Sequence, residues 1–176
     1  MQLIPLSLQH TQQLLKFERD NQHWFEQHIQ ARASDFYCEL GVQTHIAELL
    51  MDHTLGKALP MLIVDNRQNI IGRINLHNIH RGKAFLGYRL GEQYIGQGIA
   101  QLAVQKMLPL ARDNHVQRLI AIASRQNIAS QKVLTKIGFV AIRDLANFTQ
   151  VQGTMLNCIE YRLELKSLSF GKQNCG

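Results

Sequence analysis

The stretch Gln93-Tyr94-Ile95-Gly96-Gln97-Gly98-Ile99-Ala100 is the part of this sequence best suited to hold an anion. Glycines at 96 and 98 permit a tight turn that exposes successive backbone N–H groups. Apolar residues at Ile99, Ala103, Met107 and Leu110 make the next segment a helix, so the turn sits at the positive end of its dipole. Donors and dipole together suit a phosphate oxyanion. Strand-to-helix turns that bind nothing also carry glycine, so a purely structural turn stays open. No Lys-Ser/Thr comes after the glycines, as a P-loop requires, and no third glycine completes a dinucleotide fingerprint.

A second constellation begins at Asn127. Asn127 is a good helix N-cap, Ala129, Val133 and Ile137 form an apolar stripe, and Gly138-Phe139 fits a left-handed C-terminal stop with its apolar contact. Ser130 stands in the first turn, where its hydroxyl either bonds within the helix or is free for chemistry. Other candidates are weaker. His77 and His80 are three apart on a strand pattern, so they face opposite sides and make no metal pair. Cys38, Cys158 and Cys175 are odd in number and form no Cys-x-x-Cys, which argues against a disulfide framework or a thiolate zinc site. No metal is expected, and the cysteine usage points to a reducing, cytoplasmic setting.

The elements that must position these residues form one mixed α/β pattern. Ser7 precedes a helix with Leu8, Leu14, Leu15 and Phe17; an aromatic segment comes next with Trp24, Phe25 and Ile29. A third helix starts near Gly41, carries Ile46, Leu49, Leu50 and Leu55, and stops at Gly56. Strands are expected over Met61–Asp65, Ile70–Ile79, Ala84–Leu90, Arg118–Ser124, Phe139–Asp144 and Met155–Leu165, with helices over Ile99–Asn114 and Ile128–Ile137. Pro109 lies inside the first of these helices and is expected to kink it. The pattern implies a single domain over 1–168 and a polar tail over 169–176. Neither a basic leader before an apolar run nor a stretch of about 20 apolar residues is present, so no signal peptide or membrane span is expected.

The formal charge of +6, from 19 basic and 13 acidic residues, attracts anions in general. The densest basic set, Arg112, Arg118, Arg125, Lys132, Lys136 and Arg143, is too scattered to read as a nucleic-acid surface. A phosphorylated small molecule accounts for the charge equally well.

Taken in order, with a strand between them, the two constellations resemble those of the GNAT superfamily of acetyl-coenzyme A-dependent N-acetyltransferases. There a Gln/Arg-x-x-Gly-x-Gly/Ala loop binds pyrophosphate, and an Asn-x-x-Ser…Gly-Phe helix lies beside the pantetheine arm. Here the matching residues are Gln93-x-x-Gly96-x-Gly98 and Asn127-x-x-Ser130…Gly138-Phe139. Gly87-Tyr88-Arg89-Leu90 resembles the strand that leads into the loop. Phe17-Glu18-Arg19-Asp20-Asn21 with Trp24-Phe25 is most similar to the branch that acetylates ribosomal-protein N-termini.

The resemblance implies a mostly antiparallel central sheet flanked by helices, splayed after Leu90 into an acetyl-CoA cleft. It assigns cofactor binding to Leu90, Gln93, Tyr94, Ile95, Gly96, Gln97, Gly98, Ile99, Ala100, Asn127 and Ser130, with N–H groups near Leu90–Gly91 facing the developing oxyanion. Ser130 would be the catalytic donor to the departing sulfur. In the closest branch a glutamate comes after the next strand, and Asn147 stands there instead; Asp144, Glu92 and His77 are the substitutes as base. Acceptor recognition falls to Asp20–Tyr37 and Leu145–Thr154, with Trp24, Phe25 and Phe148. An α-amine of pKa about 8 costs about 1.4 kcal/mol to neutralise at pH 7, against about 4.6 for lysine near 10.4. A site without a clear carboxylate base therefore favours a protein or peptide α-amine. A small amine, or a coenzyme-A-binding module without catalysis, are the alternatives.

Overall fold

In the computed structural model, which describes residues 1–165, every strand pairs into one sheet. The strands are β1 (Gln2–Pro5), β2 (Leu59–Val64), β3 (Ile70–His80), β4 (Lys83–Leu90), β5 (Arg118–Ser124), β6 (Val140–Val151) and β7 (Thr154–Glu164). Their spatial order is β1-β2-β3-β4-β5-β7-β6. All neighbours are antiparallel except β4 and β5. The mostly antiparallel mixed sheet expected from the sequence is therefore present. The tail 169–176 lies outside the described residues.

Helices α1 (Thr11–Asp20), α2 (Gln22–Glu26) and α3 (Glu39–Thr54) are on one side of the sheet, and α4 (Ile99–Asp113) and α5 (Ile128–Ile137) on the other. β2 shows why. Its side chains alternate between the two layers: Leu62 and Val64 pack with Leu14, Phe17, Val42 and Ile46, while Met61 and Ile63 pack with Ala103, Val104 and Met107. A strand covered on both faces reads as an unbroken apolar run, which is what Leu59–Val64 is.

Helix ends obey local chemistry. Cys38 caps α3, its Sγ accepting from the Gly41 N–H at 3.3 Å. A Cβ on Gly41 would stand 2.1 Å from the Asp35 carbonyl oxygen, so only glycine fits. The expected start at Ser7 is a 3₁₀ turn, Leu8–His10, in which Ser7 and His10 bond each other before α1 begins. α4 runs through Pro109 without a break.

Two strands depart from the sequence expectation. β1 is additional to the expected strands; it is a four-residue edge strand ending in Pro5, too short for alternation to register. β6 extends to Val151, beyond the expected Asp144, through a bulge between Leu145 and Thr149 that holds Asn147 at φ 49°. It is an edge strand exposed along nearly its whole length, so no hydrophobic alternation marks it.

The feature that positions the site is the β4–β5 pair. Pairing is limited to Lys83–Phe85 against Arg118–Ile120. Beyond it β4 stays bonded to β3 and β5 to β7, so the sheet opens between them. The opening thus begins after Phe85, five residues earlier than the expected point at Leu90. The strands part because each keeps its outer partner.

Candidate active site

Opening the sheet strips one side of β4 of its backbone partners. Gly72 stands opposite Leu90, and the Gly91 N–H donates to the Ile71 carbonyl at 3.0 Å. The alternation of an antiparallel ladder then turns odd-numbered β4 residues toward β3 and directs the N–H and C=O of Tyr88 and Leu90 into the gap. Of the two N–H groups expected to face an oxyanion, Leu90's points there, whereas Gly91's is engaged with β3.

The glycine loop closes one end of the gap. A 3₁₀ turn, Glu92–Tyr94, leaves β4 and is tied to α1 through Asn21, whose Oδ1 accepts from the Glu92 N–H at 3.0 Å. Gly96 and Gly98 adopt φ of 76° and 75°, the left-handed region that glycine enters without a Cβ penalty. Apart from the glycines themselves and their chain neighbours, no protein atom lies within 4 Å of a Cβ built on either. Gln97 reaches back, its Nε2 donating to the Gln93 carbonyl at 2.7 Å, and so braces the loop. Within α4 the first backbone bond runs from Leu102 N–H to Gly98 C=O, leaving the N–H groups of Ile99, Ala100 and Gln101 pointing out of the helix end.

Across the gap α5 presents its N-terminal turn. The Asn127 Oδ1 accepts from the Ser130 N–H at 3.0 Å, so the cap is made by Asn127 and the serine's backbone. The Ser130 hydroxyl is engaged elsewhere: its Oγ lies 3.0 Å from the Tyr88 hydroxyl on β4. Burial raises the Tyr88 pKa, outweighing the serine contact, and keeps the phenol protonated, so either hydroxyl can donate to the other. Gln131 fixes the approach to the helix by donating to the carbonyls of Ser124 and Arg125.

These surfaces enclose a cavity of about 510 Å³. Leu90, Tyr94, Ile95, Gly96, Gly98, Ile99, Ala100, Asn127 and Ser130 line it; Gln93 and Gln97 stand outside its wall. The far wall is Trp24, Phe25, His28 and Ile29 from the α2 region, with Arg89 from β4. Trp24 meets His28 edge-on at 4.4 Å, and Phe25 packs on Phe17 at 5.6 Å. The charged side chains in the lining are Arg89, Lys132 and Lys136, and no carboxylate is among the lining residues.

The substitutes for a base are elsewhere. Asp144 is on the exposed surface, paired with Arg125. Asn147 sits in the β6 bulge, its N–H donating to the Asn157 Oδ1 at 2.9 Å. Glu92 is exposed outside the wall. His77 stacks on Phe85 at 5.6 Å and shares the sheet face of Arg73, turned toward α1; burial lowers its pKa. Phe148 is half exposed and does not line the cavity. Sequence reasoning missed His28, an imidazole in the wall, and the Tyr88–Ser130 contact, which only the docking of α5 against β4 reveals. Among the described residues no cluster of metal-binding side chains occurs, and no helix is long and apolar enough to cross a membrane.

The geometry fits a long polyanionic acyl carrier: an extended gap with free strand N–H groups, a glycine-lined helix end, and a wall with cations but no carboxylates. Comparison with known proteins agrees. A family model described as an acetyltransferase (GNAT) domain matches residues 1–140. The chain is 29% identical over 140 residues to the probable N-acetyltransferase YjcK of Bacillus subtilis, covering 77% of each. It superposes on the ribosomal-protein-S5-alanine acetyltransferase of Vibrio fischeri with a TM-score of 0.89, at 22% identity and with 94% and 93% of the two chains covered. RimJ of Mycobacterium smegmatis, solved with a coenzyme A disulfide, gives a TM-score of 0.85 at 20% identity, with 95% and 83% covered. The chain belongs to the GNAT acetyltransferase family: it is an N-acetyltransferase, with acetyl-coenzyme A as the acetyl donor.

Proposed function

We propose that the acceptor is the α-amine of a protein or peptide. The observation that carries this reading is the absence of any carboxylate from the cavity lining, among the described residues. Deprotonating a lysine at neutral pH costs about 3 kcal/mol more than deprotonating an α-amine, and a site without a carboxylate has little to offset it. The ribosomal-protein acetyltransferases among its structural neighbours support the same acceptor class.

Bound in the gap, acetyl-coenzyme A supplies an activated thioester. In this reading the N–H groups of Ile99, Ala100 and Gln101 and the glycine loop hold pyrophosphate, helped by Lys132 and Lys136. The Leu90 N–H faces the carbonyl oxygen as it gains charge. Ser130, hydrogen-bonded to the Tyr88 hydroxyl, turns its own O–H toward the sulfur, so that the thiolate released as the N–acetyl bond forms is met there while the amine's proton leaves through water. Trp24 and Phe25 provide flat apolar area for the acceptor backbone.

A matched peptide pair tests the acceptor. A peptide with a free N-terminus and blocked lysines should be acetylated, and one with a free lysine and a blocked N-terminus should not. The rate for the first should rise with pH and level off near the peptide's own amine pKa. A faster lysine peptide would overturn the reading. Turnover of small amines at rates above both peptides would replace it with the small-molecule alternative.

A further inference from the structure

Behind the far wall of the cavity, charge is buried out of balance. Glu18 on α1 has no exposed surface, and Arg73 on β3 is 3% exposed. One carboxylate oxygen, Glu18 Oε1, accepts from both Arg73 Nη1 at 3.1 Å and Arg89 Nη2 at 2.6 Å. The other, Oε2, is buried without a partner among the described residues. His45 on α3 completes the group, its Nε2 lying 3.0 Å from Arg73 Nη2. It adds no negative charge: burial and the guanidiniums push its pKa down to about 3, so it is neutral.

A third guanidinium, Arg32, lies over the Phe36 ring at 4.1 Å, within electrostatic reach of Arg73, Arg89 and His45. Its Nε is buried without a hydrogen-bond partner among the described residues. The acids facing the cluster are Glu18 and, at its margin, Glu26, which acts on Tyr37 and accepts from Gln22 at 2.8 Å. Two guanidiniums thus share one oxygen of a single buried carboxylate, with a third within electrostatic reach. An uncompensated buried cation costs several kcal/mol, which a further anion removes.

Arg89 is the member of this cluster that reaches the cavity wall. Its guanidinium lies 4.8 Å from the Phe25 ring centroid, and its side chain is 16% exposed. It faces the acceptor side, since alternation along β4 separates it from Tyr88 and Leu90; the glycine loop and the α5 lysines lie across the cavity. The phosphates of the donor therefore have cations of their own, and Arg89 has only its share of Glu18, which it divides with Arg73.

We propose that the acceptor brings the missing anion: a carboxylate carried close to the nucleophilic amine and bound by Arg89. The inference rests on the α-amine reading and deepens it. Arg89 adjoins Leu90, one Cα step of about 3.8 Å away, so the carboxylate belongs within the first one or two residues of the acceptor. An acidic side chain at that place in a peptide supplies it, and so does the α-carboxylate of a free amino acid.

The test compares peptides differing only in Asp or Asn at the second residue, together with the free N-terminal amino acid, on the parent protein. Acetylation is read by thiol release, and binding by the fluorescence of Trp24, the chain's single tryptophan and part of the same wall. The Asp peptide should exceed the Asn peptide in kcat/KM by about tenfold, an advantage that salt erodes. In Arg89→Gln that ratio should collapse toward one, and in Arg89→Lys it should survive in part. Should Arg89→Gln fail to fold, the Arg89→Lys ratio and the salt dependence of the parent decide.

Equal treatment of Asp and Asn peptides by the parent, in both rate and binding, overturns the inference; acetylation of both would then leave the α-amine reading intact. Tighter binding of the Asp peptide with neither peptide acetylated upholds Arg89 and overturns the α-amine reading. A free amino acid that outpaces both peptides, with its advantage lost in Arg89→Gln, upholds Arg89 as the carboxylate site and overturns the peptide reading of the acceptor.

Discussion

At the scale of single residues, the contact between Ser130 and Tyr88 separates two roles that the sequence leaves joined. A serine in a first helical turn commonly caps that turn, but here Asn127 does so, and the hydroxyl is free to face β4. Ser130→Ala should therefore slow acetyl transfer by about 2–4 kcal/mol in barrier while changing donor affinity much less, because a bond to sulfur strengthens only as charge develops. Tyr88→Phe should move kcat in the same direction by a smaller amount. Steady-state kinetics beside calorimetry with coenzyme A check both, and unchanged kcat in Ser130→Ala would return the hydroxyl to a structural role. Asn127 and Ser130 were legible because cap chemistry is local. Tyr88, Arg89 and Glu18 were visible only as letters in similar-looking stretches, since what each does depends on an element distant in sequence: α5 for Tyr88, and β4 meeting α1 for the ion pair.

At the scale of elements, the longer strands with a buried face announced themselves, whereas β1 was missed for its shortness and the exposed β6 was cut short. β5 and α5 have the bounds read from sequence, because Arg118–Ser124 alternates cleanly and Asn127 and Gly138 mark both helix ends. β6 has no buried face to impose a pattern over most of its length, and the bulge at Asn147 shifts its register midway. The junction of β4 and α4 was legible for the opposite reason, since glycine at a positive φ is a local requirement. With open space around both glycines, the protein itself does not reject a side chain there. Gly96→Ala and Gly98→Ala should then cost about 1–2 kcal/mol of stability each through left-handed strain. Affinity for coenzyme A should fall as well, because the added methyl stands where the anion must approach. Thermal melts and calorimetry separate the two effects; a variant that loses stability but keeps its affinity would take that glycine out of the anion site.

At the scale of the whole molecule, the buried cluster ties two helices and two strands together on the α1–α3 face of the sheet. Glu18 lies on α1, His45 on α3, Arg73 on β3 and Arg89 on β4, where it reaches the cavity. Arg89's place in the wall is set by its bond to Glu18, which also holds Arg73, and Arg73 in turn meets the neutral His45. Since the folded pKa, about 3, is below the ordinary 6.5, the unfolded chain binds a proton that the folded chain refuses. The stabilisation associated with His45 is complete above pH 6.5 and is lost as pH falls from there toward 3. His45→Gln retains an acceptor for the Arg73 guanidinium but takes up no proton. Its free energy of unfolding should fall less steeply with acid than the parent's, by about 2–3 kcal/mol between pH 7 and pH 4. Urea titrations at several pH values supply the comparison, and parallel slopes for the two proteins would show that the imidazole is free to protonate in the fold. Loosening should reach the site before global unfolding does. As pH drops through this window, KM for an acidic peptide should rise in the parent more than in His45→Gln, since a charged imidazole beside Arg73 disturbs the partner that orients Arg89.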